Sequence, residues 1–424
     1  MKPLYPFIEY EKYNRLEYTK ISDFMSEYPD VCVVDEKHIQ FKVVGIIYAA
    51  GFPIVVFPKN YQINNKNLIA DAKMLIRVLV NYKNEPQHDI LELPLLFGDE
   101  NMSTDKIILA MLLLEDFSQN GFLHRELQIE SLKQTGRISW PSTINKTLPI
   151  VSQNQTKYLI PIYKRKVTDE NNIIFIIHEV IVTECLLEWG WLFDYDGYKG
   201  KQKSLPSGIA KLIHLLTLEL RNTFVEREIR VLKLLIQYLT TKSENNIRQK
   251  LNIIATPYFN NIWESVCGYL FENQYVKLQK LIPQPKWEDT YLNKRISQRP
   301  DIFYVTKSAL FILDAKYYNH DSSLPGWHDL VKQFFYRHSL VEILHRREFY
   351  EILPKTKHIY NAFLLPGNEE DDLVYVGKAS VPMIKDLGEV KAFTINLRRS
   401  LYAYAYRNDS GFQEKLRQQL QEKF

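Results

Sequence analysis

The stretch RPDIFYVTKSALFILDAKYY, from Arg299 to Tyr318, decides how this 424-residue sequence is read. Asp301 to Val305 and Leu310 to Lys316 are apolar on both faces, the pattern of central, buried strands. Lys307 and Ser308 lie between them. A two-residue turn there pairs Thr306 with Ala309 and, followed outward, sets Asp301 directly across from Asp314, with Cβ atoms about 4.5–5.5 Å apart. Lys316, two residues beyond Asp314, projects from the same face. Lys-Ser lacks the Asn-Gly chemistry that favours such a turn, so a register one residue away stays open.

Two carboxylates and an ammonium at the end of an apolar hairpin are costly unless they are paired or bind a cation. A hard divalent ion relieves the repulsion of facing carboxylates, and Mg²⁺ takes one or two of them plus waters and phosphate oxygens. Such an ion lowers the pKa of a bound water and stabilises charge on a phosphate. The set therefore has the parts for phosphodiester hydrolysis. The bland alternative is that Asp301 caps a turn while Asp314 and Lys316 form a salt bridge at a sheet edge.

The flanking segments tip the balance towards chemistry. Upstream, Phe259, Ile262, Trp263, Val266 and Leu270 mark an amphipathic helix, and Glu264 sits beside its apolar stripe as a third candidate carboxylate. Downstream, Pro325-Gly326 precede a helix from Trp327 to about Leu344. On it, Asp329, Gln333 and Tyr336 form one polar stripe at i, i+4 and i+7. Such a stripe is either solvated or supplies an amide and a phenol to a phosphate or an attacking water.

The rest of the chain bounds these readings. With 46% hydrophobic and 25% charged residues and a net charge of +4, the composition is that of a globular protein. That charge is too small to imply nucleic acid without local clustering. The length fits two or three domains. We expect an α+β multidomain chain. A small N-terminal β module spans 1–65, with strands at Val31–Val34, Ile39–Ile47 and Ile54–Phe57. A mainly helical middle region spans 66–250, loop-rich from Gln134 to Asp169. The stretch Asn172 to Trp189 reads as helix, though its β-branched first half could be a strand. A C-terminal α/β domain spans 251–424, a mixed sheet flanked by helices. The longest apolar run, Val43 to Phe57, is interrupted by Gly45, Gly51 and Pro53 and falls short of the roughly 20 residues of a membrane helix. It reads as two strands around a turn. No signal peptide is apparent, and the scattered Cys32, Cys185 and Cys267 read as reduced thiols in a cytoplasmic protein.

Other chemistries find no support. HEVIVTEC, from His178, lacks the second His of a zinc helix, so His178 reads as an ordinary structural or surface residue. There is no G-x-S-x-G elbow, and GYKGKQKS, from Gly197, lacks the spacing of a phosphate-wrapping loop. Basic residues cluster near the hairpin as Lys294, Arg295 and Arg299, then Arg337, Arg346 and Arg347, either solvated or placed for backbone phosphates.

The order Glu264, Pro300-Asp301, Asp314-Ala315-Lys316, then Gln333 and Tyr336 resembles the PD-(D/E)XK nuclease superfamily. Asp301, Asp314 and Lys316 match its defining motif, Glu264 matches the acidic residue of its first helix, and Gln333 with Tyr336 is similar to its Q-x-x-x-Y, one residue short. Phe41 to Ile47 with Val55 to Lys59, Gly136 to Trp140 with Leu148 to Ile150, and His358 to Phe363 with Leu365-Pro366 resemble the LlaJI family of restriction endonucleases, relatives of McrC. The resemblance implies a Mg²⁺-dependent DNA endonuclease subunit, with Mn²⁺ substituting. Asp301, Asp314 and Glu264 would serve the metal, Lys316 the water or transition state, and Gln333 a phosphate. It also implies double-stranded DNA as substrate and a separate McrB-like AAA+ GTPase contacted by the N-terminal module. Two rivals are a non-catalytic adaptor that stimulates the GTPase and a stand-alone repair or recombination nuclease.

Overall fold

The computed structural model describes residues 4–49, 52–83, 85, 105–124, 126–152, 155–169, 172–192, 195, 201, 203–247, 251–284, 299–318, 324–343, 346, 352–353 and 356–424. The chain divides into two compact units, Met1–Thr104 with Leu251–Phe424, and Asp105–Lys250.

The N-terminal part of the first unit carries β1 (Tyr5–Ile8), β2 (Tyr13–Asn14), α1 (Thr19–Met25), β3 (Cys32–Val34), β4 (His38–Phe41), β5 (Val44–Ala49) and β6 (Phe52–Phe57). The apolar run forms the antiparallel pair β5–β6, as expected of two strands around a turn. The expected single strand Ile39–Ile47 is broken after Phe41. Strand β4 joins a small β2-β4-β3 sheet, while β5 joins the sheet β1-β6-β5-β12, where β12 is Asn252–Thr256. Gly45 makes that crowding possible: it has φ 153°, and a Cβ there would lie 2.1 Å from the Ile254 carbonyl oxygen. Phe7, Phe41, Ile47, Ile54 and Val56 pack with Leu251 and Ile253 in one core. Helix α2 (Leu68–Lys83) packs within this unit.

The second unit holds α3 (Asp105–Asn120), β7 (Glu126–Ser131), β8 (Arg137–Ile138), α4 (Trp140–Lys146), β9 (Ile150–Ser152), β10 (Gln155–Lys157), β11 (Tyr163–Thr168), α5 (Ile173–Trp189), α6 (Ile209–Asn222) and α7 (Glu226–Ile247). The β-branched start of α5 is helical. Ile174, Ile177, Ile181 and Cys185 are all buried, and the Asn172 side chain caps the first turn through the Ile174 amide. The stretch from Gln134 contains strands: β8 and β11 join the preceding β7 in a three-stranded β7-β11-β8 sheet, and β9 pairs with β10. Leu148 and Val151 there are 92% and 71% exposed. His178 is structural: its Nδ1 accepts the Leu123 amide at 3.0 Å, and the ring is fully buried.

The C-terminal part of the first unit has α8 (Phe259–Leu270), α9 (Tyr275–Leu278), β13 (Ile302–Val305), β14 (Ala309–Ala315), α10 (Trp327–Ile343), β15 (His358–Gly367), β16 (Leu373–Ser380), β17 (Glu389–Asn396), α11 (Leu397–Tyr406) and α12 (Ser410–Glu422). Its sheet runs β13-β14-β15-β17-β16. Strands β14, β15 and β17 are parallel, with antiparallel edges. The protein is thus mixed α/β, with several mixed sheets. No helix among the described residues is long and apolar enough to cross a membrane.

Candidate functional site

The hairpin folds in the expected register. Ile302 faces Leu313, Phe303 faces Ile312, Tyr304 faces Phe311 and Val305 faces Leu310, with the Thr306 amide donating to Ala309 at 2.9 Å. Continuing that register places Asp301 across from Asp314, and Asp301 Oδ2 accepts the Ala315 amide at 3.0 Å. The turn tolerates Lys307-Ser308 because Thr306 Oγ1 itself accepts the Ala309 amide at 3.0 Å. The turn, rather than an apolar–polar alternation, fixes the pair, since both faces of these strands are buried.

Both carboxyls are removed from water. Burial, then the charge of Asp314 and that of Glu264, push Asp301 well above the usual carboxylate range. Burial also raises Asp314, against the pull of Lys316. Lys316 Nζ lies 2.7 Å from Asp314 and 3.0 Å from Asp329. Burial opposes its charge, but these two carboxylates outweigh it and raise its pKa. The salt bridge of the bland alternative is therefore present, but one lysine serves three neighbouring acids, a negative excess suited to a cation.

Glu264, half-buried on α8, contributes to the field at Asp301. Among the described residues, no three His, Cys, Asp or Glu side chains are gathered as a ready-made metal cage. Asp301 and Asp314 fit the sparse protein ligation that Mg²⁺ accepts, with waters and phosphate oxygens completing its shell. Tyr336 lies close enough for burial, then Asp314 and Asp301, to raise its phenol; its hydroxyl is 3.5 Å from the Arg299 carbonyl. Gln333 is fully enclosed, with neither amide atom hydrogen-bonded; its backbone carbonyl accepts from Asn361 at 2.6 Å. Asp329, the first member of the α10 stripe, gains its role only through Lys316, and its spacing ahead of Gln333 is the one sequence signal that points to it. It also accepts a hydrogen bond from Tyr318 at 3.3 Å.

Of the basic clusters, Arg337 is spent on the carbonyls of Ile359 and Asp386, and Arg299 lies over the Tyr275 ring. Lys294, Arg295, Arg347 and most of the Gly197 stretch fall outside the described residues.

The arrangement is an acid pair with an adjoining lysine at the carboxyl end of a central strand in a mixed sheet, a site able to hold a hard cation. Comparison with known proteins supplies the family. Residues 43–397 match the model of the LlaJI restriction endonuclease family, and the chain belongs to that family. It is 28% identical over 354 residues to the type II restriction enzyme BsuMI component YdjA of Bacillus subtilis (strain 168), covering 77% of this chain and 72% of that protein. Two solved structures are also similar. One is a half-complex of Thermococcus gammatolerans McrB AAA+ hexamers with bound McrC (13% identity, 96% of this chain and 100% of that one, TM-score 0.39). The other is the McrBC complex of the same organism (15%, 56% and 80%, TM-score 0.27).

Proposed function

We propose that this chain is the Mg²⁺-dependent DNA endonuclease subunit of a GTP-dependent restriction system, with a PD-(D/E)XK core. The observation that carries the reading is the hairpin that sets Asp301 across from Asp314 with Lys316 beside them. When bound, Mg²⁺ or Mn²⁺ would supply a water of lowered pKa and a counter-charge for the phosphate. Asp301 and Asp314 would hold it, and Glu264 would add negative charge from α8. Lys316, kept protonated by Asp314 and Asp329, orients the water and neutralises charge gathering on phosphorus. Gln333, fully enclosed with its amide unpaired, has no path to a phosphate and would instead hold an ordered water.

The partner belongs to the same reading. The described sequence contains no phosphate-wrapping loop, the family is that of a restriction endonuclease, and an McrB-like AAA+ GTPase would supply nucleotide hydrolysis. The N-terminal module is its contact, and duplex DNA is the substrate. The chain alone then gives little specific cleavage and no GTP hydrolysis, whereas adding an AAA+ protein encoded beside it gives GTP-dependent cutting and faster GTP turnover. GTPase stimulation without any cutting, in Mg²⁺ and Mn²⁺ alike, refutes the nuclease and favours the adaptor.

A further inference from the structure

The Val55–Lys59 segment has no role in the chemistry above, yet it ends against the residue that follows Lys316. Tyr317 is half-buried, and its hydroxyl is held from two sides. It donates to Glu9 Oε2 at 2.8 Å, just past β1, and accepts the Lys59 amide at 2.7 Å, just past β6. The Lys59 ammonium sits over the Tyr10 and Tyr317 rings, 4.6 and 5.1 Å from their centroids. Asn60 Nδ2 donates to the Tyr318 and Pro366 carbonyls, both at 3.2 Å. The Tyr317 ring also packs on Phe259, 5.3 Å between centroids, at the start of the helix that carries Glu264. Lys316 itself is tied to the sheet through its amide and Leu364, at 2.9 Å.

We infer that Tyr317 is a positioning residue for Lys316, clamped by Glu9 and Lys59, so that the N-terminal sheet sets the placement of the reacting lysine. The inference rests on the nuclease reading above. A chain leaving β14 with two free dihedrals per residue would let Lys316 wander between Asp314 and Asp329. Fixing the next side chain at three points removes that freedom, and misplacement by about 1 Å can cost about 100-fold in rate. The same clamp gives the N-terminal module a physical route to the site: any shift of β1 or of the segment after β6 moves Tyr317, and Lys316 with it.

The test uses the full chain with its AAA+ partner and measures DNA affinity and single-turnover cleavage separately. Tyr317→Phe keeps the ring packing and removes only the hydroxyl. It should leave DNA affinity within about 2-fold and lower the cleavage rate at least about 10-fold, whereas a purely structural role lowers the active fraction and not the rate per folded molecule. Glu9→Leu should lose as much, and Glu9→Gln, which still accepts the Tyr317 hydroxyl, should recover most of the rate. The Glu9 comparison stands even where Tyr317→Phe does not fold. Wild-type single-turnover rates in Tyr317→Phe and Glu9→Leu overturn the inference. Asp314→Asn, run alongside, separates the two failures: if it is inactive while Tyr317→Phe is normal, only the positioning role falls; if Asp314→Asn itself cuts, the nuclease assignment falls.

Discussion

Glu9 links the stability of the first unit to pH. Its carboxyl is 3% exposed and is pushed up from 4.5 to about 7, by burial first, with the Tyr317 hydrogen bond and the Lys59 charge pulling the other way. A folded-state pKa above the unfolded one means that folding favours the protonated acid. The stabilisation is complete below about pH 4.5 and is lost as pH rises through about 7. At 1.36 kcal/mol per pH unit the gap amounts to about 3 kcal/mol. Glu9→Gln cannot ionise and keeps an acceptor for Tyr317. Its loss of stability between pH 5 and pH 8 should therefore be smaller than the wild type's by about 2.5 kcal/mol. Hydrogen exchange of peptides covering Tyr5–Ile8 and Phe52–Phe57, corrected for intrinsic rates, reads this as about two orders of magnitude in relative protection. Identical pH dependence in the variant and the wild type refutes the argument.

The second unit should show the opposite sign. Burial pulls His178 down to about 4, so its contribution is present above about pH 6.5 and is lost as pH falls towards 4, by about 3 kcal/mol in full; His178→Gln should flatten the acid limb of unfolding monitored in this unit. Gly45→Ala should break the β5–β12 pairing, because the new Cβ meets the Ile254 carbonyl at 2.1 Å. A loss of about 1–3 kcal/mol in chemical denaturation is expected, and wild-type stability would mean the two strands separate freely. EDTA should abolish cutting, and Ca²⁺ should bind without supporting it, because its looser coordination poorly places the nucleophile.

The hairpin was legible because its signal is local: two apolar runs, a two-residue gap and a fixed pairing rule place Asp301 against Asp314. Helix α8 and the α10 stripe followed from periodicity, another local property. What escaped depended on distant partners. Strand β12 is five residues whose place is set by β5, some two hundred positions away. The break between β4 and β5 divides strands that join two different sheets, which no local pattern announces, and the strands from Gln134 onward lack an apolar face to betray them. Asp329 was visible as a stripe member, but only the folded approach of Lys316 gives it a partner. Glu9 carried no signal at all, since a single Glu beside Ile8 looks like any surface acid until Tyr317 closes over it.

DNA hydrolysis at the proposed site depends on the acid pair and its lysine. The direct measurement is Mg²⁺-dependent cleavage by Asp314→Asn beside the wild type, with the AAA+ partner and GTP present and with folding and partner binding verified for both. The substitution removes one carboxylate and preserves volume, so the account predicts intact folding and binding and a cleavage rate at least about 1,000-fold lower, on the order of 4 kcal/mol in transition-state stabilisation. Cutting by Asp314→Asn at near the wild-type rate would contradict it.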